Sequence, residues 1–397
     1  MEAIPPQRLK VMIVAGEPSG DAHAAALVNA MREVTPNDQL DFFGATGPLM
    51  RDAGVESVIH SDDLAIVGLL EIGHALPKFW SAFKKLREAA LQQKPEAVVL
   101  VDWPDFNLRL AHSLHRRGLK VIYYISPQLW AWRSHRVKTI ERDVDLMLTI
   151  LPFERGWYAK QGVTQVEFVG HPLAGEVKAR YGREEFCRSH DLDPARPIVS
   201  LLPGSRRKEL LRILPPMRDA ALSISEARPD VQFVVVVAPS RSIEEAKQII
   251  QAGRNTPDET FTIVNQETRE ALAASDAAAL ASGTVTLEAA LLGTPMVIVY
   301  KESAINWNVL GRLITTDHYG LVNLVAGERI VTELMQDELN GERLAAELLL
   351  LLEQQRNLKL RKRLHEVAQQ LGEGGASRRA AEHILDFLKR SKKDSQV

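Results

Sequence analysis

Two carboxylates three residues apart, Asp102 and Asp105, follow the apolar run 97–101 in the segment Asp102-Trp103-Pro104-Asp105-Phe106-Asn107. The end of a buried parallel strand is where ligands collect in an open α/β sheet. A carboxylate partly desolvated there has its pKa raised and serves as a general base for a hydroxyl. Asp105 could equally be the N-cap of a helix opening near Asn107, and Asp102 a strand-end turn residue. The run 11–15 ends in the same manner, in Gly16-Glu17-Pro18-Ser19-Gly20-Asp21. Its glycines permit a tight turn, and Ser19 or Asp21 can cap the next helix. Capping does not call for Glu17, which makes it a further candidate catalytic carboxylate.

A second set of residues suits an anion. Leu202-Pro203-Gly204-Ser205-Arg206-Arg207-Lys208-Glu209 runs from a strand into a helix. Backbone amides at a helix start and an arginine fork together would clamp a diphosphate and neutralise the charge it gains on leaving, which singles out Ser205 and Arg206. Further on, Ala281-Ser282-Gly283-Thr284 opens another helix. Glu288 lies about one turn inside it, placed to accept from sugar hydroxyls. Between the two sets, Ser126-Pro127-Gln128-Leu129-Trp130-Ala131-Trp132-Arg133 offers Trp130, Trp132 and Arg133 as a wall for a sugar or a lipid, with buried structural tryptophans as the alternative.

These residues need a scaffold that brings strand ends together. The runs at 11–15, 97–101 and 121–125 are rich in β-branched residues and lack polar alternation, as strands covered on both faces do. Helical stretches at 21–32, 78–93 and 107–117 separate them. After Gly170-His171-Pro172 the pattern restarts, with runs at 198–202, 231–237, 261–264, 277–281 and 296–300. The expected architecture is α/β with two doubly wound, Rossmann-like domains facing a cleft, at 1–172 and 173–371. A last helix follows the glycine break at 372–375, so residues 372–397 can pack back on the first domain or exchange with a partner in a homodimer.

The bulk composition narrows the field. The chain has 397 residues, 49 basic and 51 acidic, for a net charge of −2, which argues against nucleic acid as a partner. One cysteine, Cys187, allows neither an internal disulfide nor a cysteine metal cluster. No secretory leader and no spanning apolar run is visible, so a cytoplasmic enzyme is expected. The absence of a GxGxxG fingerprint argues against a nicotinamide enzyme. One segment is unusually greasy: Leu69, Leu70 and Ile72 within 64–73, followed by Phe79, Trp80 and Phe83 among Lys78, Lys84, Lys85 and Arg87. That mixture suits a helix lying on a membrane surface, or ordinary core packing of an amphipathic helix.

Taken together and in order, the motifs around Glu17, Asp102, Trp130, Arg206 and Ser282, with Leu321-Val322-Asn323-Leu324, resemble those of the lipid-A-disaccharide synthases over residues 10–330. The resemblance implies a GT-B fold and transfer of 2,3-diacylglucosamine from its UDP derivative to 2,3-diacylglucosamine 1-phosphate. The product is a β(1→6) disaccharide, formed with inversion and with no metal or cofactor. It implies Asp102 as base, with Glu17, Arg206, Glu288 and Asn323 at other functional positions. It also implies peripheral attachment to the cytoplasmic face of the inner membrane of a Gram-negative-type bacterium. Trp103 departs from the family pattern, where a smaller residue is usual. The other readings are a sugar-nucleotide enzyme of the same plan, such as a GlcNAc transferase or an epimerase, and a non-catalytic nucleotide-sugar or lipid-binding protein.

Overall fold

A computed structural model describes residues 8–36, 39–62, 72–252, 260–303, 307 and 316–394. The chain divides into two compact units, Met1–Pro172 with Gly374–Val397, and Leu173–Glu373.

The first unit is built on seven strands: β1 (Arg8–Ala15), β2 (Gln39–Thr46), β3 (Glu56–His60), β4 (Ala97–Val101), β5 (Val121–Tyr124), β6 (Leu146–Thr149) and β7 (Val166–Phe168). They form one sheet in the order β3-β2-β1-β4-β5-β6-β7, with parallel pairings throughout. Successive side chains point to opposite faces, so an unbroken apolar run means that both faces are covered. Val11, Ile13, Val99 and Val101 accordingly enter one core, and Met12, Val14, Val98 and Leu100 the other. The helices are α1 (Pro18–Val34), α2 (Pro48–Asp52), α3 (Ile72–Gln93), α4 (Pro104–His115), α5 (Val137–Asp143) and α6 (Glu154–Lys160). Both α1 and α4 begin three residues earlier than their apolar periodicity suggests. Each has proline at its first position, where a fixed φ helps and a missing N–H costs nothing. Asp21 does not cap its own helix. Its buried carboxylate accepts from the amides of Gly47, Leu49 and Met50, and so caps α2.

The second unit repeats the plan with β8 (Ile198–Leu202), β9 (Gln232–Val237), β10 (Phe261–Asn265), β11 (Ala277–Ala281), β12 (Met296–Tyr300) and β13 (Glu333–Met335). Their order is β10-β9-β8-β11-β12-β13, again parallel. Its helices are α7 (Arg183–Ser189), α8 (Arg207–Ala227), α9 (Ile243–Gln251), α10 (Thr268–Ala274), α11 (Val285–Leu291), α12 (Leu321–Ala326), α13 (Gly341–Leu351) and α14 (Gln354–Gln370). The final helix, α15 (Ala376–Asp394), belongs to the first unit. Ala380, Ala381, Ile384, Leu385 and Leu388 lie on one face of it and join the core that Ala24, Leu27, Val28 and Met31 of α1 line. Among the described residues no helix is long and apolar enough to cross a membrane.

Each sheet reverses its strand order once, between β1 and β4 in the first unit and between β8 and β11 in the second. Crevices open at the carboxyl ends of strands at such points. The register pairs Ala15 with Val101, and Leu202 with Leu280, so the segments that follow these strands emerge side by side.

Candidate active site

In the first unit Glu17 follows β1 and Asp102 follows β4. Asp102 and Trp103 have φ values of 48° and 51°, two successive left-handed residues without a glycine. Each such residue costs of order 1–3 kcal/mol and persists only where its surroundings enforce it. Here the enforcement is visible. The Asp102 carbonyl accepts from the Tyr123 hydroxyl at 2.7 Å and from the Asn107 amide at 2.8 Å. The same Asn107 nitrogen donates to the Val101 carbonyl at 3.2 Å. Tyr123 and Asn107 are fully buried, so the turn that aims the Asp102 carboxyl is braced from the core.

The carboxyl itself is enclosed. Burial pushes its pKa up to about 6, the negative charge of Glu17 adds to the rise, and a hydrogen bond from the Trp103 amide partly opposes it. Asp105 has the opposite fate. It lies inside the first turn of α4 rather than capping it, and it is exposed. Arg133 reaches its Oδ1 at 2.9 Å and Arg136 at 2.6 Å. Partial burial raises its pKa, but the hydrogen bonds and charges of the two arginines outweigh that and hold it below the usual carboxylate range. The two aspartates that the sequence left as rivals are therefore separated by environment: Asp102 suits a base, and Asp105 is an ion-pair partner.

Trp103 bridges this turn and its neighbours. A Cβ on Gly16 would lie 2.0 Å from the indole, so the ring lies flat on that glycine. Its other neighbour is Phe106, stacked with centroids 4.1 Å apart and planes at 11°. Trp103 and Phe106 continue into an open groove of about 840 Å³ between α3 and α4, where Phe79, Trp80 and Phe83 form the apolar wall. Arg109, Arg116 and Arg117 stand on the opposite side.

The second unit holds a pocket of about 440 Å³ at its own reversal point, lined by Ser205, Arg206, Glu209, Ser282, Thr284 and Glu288 among others. Glu209, in the first turn of α8, reaches back to accept from the amides of Ser205 and Arg206 at 3.1 Å each, just ahead of the helix. Gly204, at φ +107°, leaves room for that carboxylate, which a Cβ would meet at 2.4 Å. Arg206 remains mostly exposed and is the one basic side chain among the described residues lining this pocket. The Ser282 hydroxyl donates to the Tyr319 carbonyl at 3.0 Å, and Glu288 faces Arg269 at 3.3 Å.

This combination, a largely buried carboxylate at one reversal point and a polar pocket with an exposed guanidinium at the other, coincides with close relationship to known proteins. A family model described as lipid-A-disaccharide synthetase matches residues 11–387. The chain belongs to the lipid-A-disaccharide synthase family. It is 43% identical over 380 residues to the lipid-A-disaccharide synthase of Geobacter sulfurreducens, covering 96% of this chain and 97% of that one. The Trichlorobacter lovleyi enzyme of the same name is also 43% identical, over 383 residues, covering 96% and 98%. Among solved structures, a putative UDP-N-acetylglucosamine 2-epimerase from Listeria monocytogenes superposes with a TM-score of 0.64 at 15% identity, covering 98% of this chain and 97% of that one. The calicheamicin glycosyltransferase CalG4 gives 0.61 at 14%, covering 97% and 99%. These two likenesses carry the GT-B fold, and the family makes the chain a glycosyltransferase.

Two residues assigned to the lipid-A-disaccharide synthase site from sequence are buried and bonded within the fold. Trp130 is buried rather than part of an open wall. Its indole donates to Glu154 at 3.1 Å and packs edge-on against Phe153. Glu154, which also accepts from the Leu151 and Ile150 amides, is fully enclosed, and burial pushes its pKa up to about 7. Asn323 is buried and saturated: it donates to the Val331 carbonyl and to Glu333, and accepts from the amides of Ile330 and Val331. It fastens α12 to the approach of β13 and has no hydrogen-bonding capacity left for a nucleotide.

Trp132 is exposed, with the Arg133 guanidinium 4.0 Å above its ring, and Glu17 and Ser19 are exposed at the start of α1. Leu69 and Leu70 lie outside the described residues, as does the side chain of Ile72. The bracing roles of Tyr123 and Asn107, the Glu209 cap and Arg136 have no counterpart in the sequence reading. Asn107 and Glu209 stood inside motifs already singled out, and Arg136 one turn after Arg133. Tyr123 gave no signal, because its hydroxyl meets Asp102 only across β5 and β4.

Proposed function

We propose that the chain joins UDP-2,3-diacylglucosamine to 2,3-diacylglucosamine 1-phosphate, releasing UDP and forming the β(1→6) disaccharide by a single inverting displacement. Asp102 accepts the proton of the acceptor 6-hydroxyl while that oxygen bonds to the anomeric carbon of the donor. The bond from that carbon to the diphosphate breaks, and the electron pair leaves with UDP. Arg206 offsets the charge that gathers on the departing diphosphate. Ser205, Ser282, Gly283, Thr284 and Glu288 surround the nucleotide sugar. The observation that carries the reading is the Asp102 carboxyl: largely buried, on a turn whose backbone carbonyl Tyr123 and Asn107 brace, and raised to about 6, where a base at neutral pH is ionised and still proton-hungry.

The α3–α4 groove suits the acyl chains of the acceptor, and α3 supports attachment at the cytoplasmic face of the inner membrane. Trp80 is 67% exposed and stacks on Phe83 among the exposed Lys78, Lys84 and Lys85. Incubating the full chain with both lipid substrates should release UDP in step with disaccharide. UDP release without disaccharide, or equal turnover of UDP-GlcNAc lacking acyl chains, would sink the assignment.

The charge of Glu17 supplies a pH test. The rate constant kcat/KM should rise with pH along a limb near pH 6, as Asp102 loses its proton. Glu17→Gln removes a like charge that raises the Asp102 pKa, so the limb should move to lower pH. A limb that stays in place or moves up would show that Glu17 does not act on Asp102 through its charge.

A further inference from the structure

Two guanidinium groups meet on the Asp105 carboxylate, which lines the α3–α4 groove, and a third lies one turn further along α4. Arg133 and Arg136 both donate to the same oxygen of Asp105. Arg109 stands one turn further along α4, about 6 Å up the helix axis, and lines the groove together with Asp105. Among the described residues no carboxylate pairs with Arg109. Among the described residues the cluster therefore carries more positive than negative charge beside an aromatic wall, a pairing of surfaces that fits an anionic amphiphile.

We propose that Arg109 and Arg136, with Arg133 steadied by Asp105, form the binding site for the phosphomonoester of the lipid acceptor. The inference rests on the reaction proposed above and adds residues to it. Asp105 is three positions from Asp102, and Trp103 lies between them as part of the groove floor. A sugar whose hydroxyl reaches the Asp102 carboxyl then has its phosphate in range of the arginines and its acyl chain along Phe79, Phe83 and Phe106. Planar guanidinium forks hold a phosphate by paired hydrogen bonds. A bilayer phospholipid would offer similar chemistry to the arginines, but it has no hydroxyl to present to Asp102.

The test compares the phosphorylated acceptor with its analogue lacking the phosphate, using the full chain in detergent micelles. A site built to pair a polar group discriminates against the analogue without it by on the order of 100-fold or more in kcat/KM. In the double variant Arg109→Gln, Arg136→Gln the preference should collapse towards unity through a raised KM for the phosphorylated acceptor, with the donor KM unmoved. Arg109→Lys should keep part of the preference.

An unchanged preference would overturn the proposal, and so would an equal loss on both acceptors, the mark of a purely structural role. Preference retained in micelles alongside lost binding to phosphatidylglycerol vesicles would make the cluster a bilayer contact and likewise overturn it. Binding of the two lipids, followed by tryptophan fluorescence, gives the same comparison without turnover. Absence of disaccharide from the wild type would thus count against the reaction, while the phosphate site stands or falls on the binding difference.

Discussion

Replacing Asp102 with asparagine should lower kcat by about 10²- to 10⁴-fold and at the same time make the folded protein more stable at pH 7.5. The first effect is loss of the base, and UDP affinity should be unchanged, since Asp102 and the proposed nucleotide pocket belong to different units. The second follows from the direction of its pKa. An unfolded chain ionises this carboxyl near 3.8, whereas the folded protein holds the proton up to about 6. Below pH 3.8 the group is protonated in both states and costs nothing. As pH rises through 6, the folded protein alone must carry a buried negative charge, and stability falls. That difference corresponds to about 1–3 kcal/mol at neutral pH. Asparagine carries no charge to bury and tolerates the left-handed φ of 48° better than most residues. In urea unfolding, the advantage of the variant should be present at pH 7.5 and shrink to under about 1 kcal/mol at pH 4. Activity within tenfold of wild type would remove Asp102 as the base. A stability gain independent of pH would remove the buried charge as its cause.

This combination explains why part of the candidate site was legible in the sequence. A carboxylate placed after an unbroken β-branched run can be recognised because the run fixes the strand, the strand fixes the sheet edge, and the edge is where ligands bind. Glu17, Asp102, Arg206 and Ser282 all follow this logic, and the register pairs Ala15 with Val101 and Leu202 with Leu280 give it a geometric basis. What the sequence could not give is which way a loop residue turns once the chain has left the strand. Trp130 and Trp132 are two positions apart in one motif. One donates to a buried glutamate and the other carries an arginine on its face. Local chemistry alone left Asp102 and Asp105 as rivals, and Arg133 and Arg136, about thirty residues on, pair only with the second. Asn323 was expected at a functional position because the family resemblance implied it. Its four hydrogen bonds depend on Ile330, Val331 and Glu333 returning past it, which no local pattern announces. Trp103, which the resemblance marked as a departure, has its indole against Gly16 and forms part of the groove floor.

Arg206→Ala should lower kcat by about 10²- to 10³-fold, a larger effect than one exposed arginine ordinarily has. The reason lies in Glu209. Its carboxylate sits on the amides of Ser205 and Arg206, just ahead of the helix, so this turn places a negative charge beside the pocket. Within the described pocket lining, the guanidinium of Arg206 is the positive charge that offsets it. Its side chain is 82% exposed and 3.4 Å from the nearer Glu209 oxygen, a loose contact that leaves the fork free to turn towards a ligand. Charge on the diphosphate grows as the glycosidic bond breaks, so the loss should fall mainly on kcat, with UDP-sugar KM changed less. Arg206→Lys should recover part of the rate by restoring charge without the fork. If kcat for Arg206→Ala stayed within threefold of wild type while KM rose, the arginine would be a binding residue only, and stabilisation of the leaving group would have to come from the segment Ser282-Gly283-Thr284.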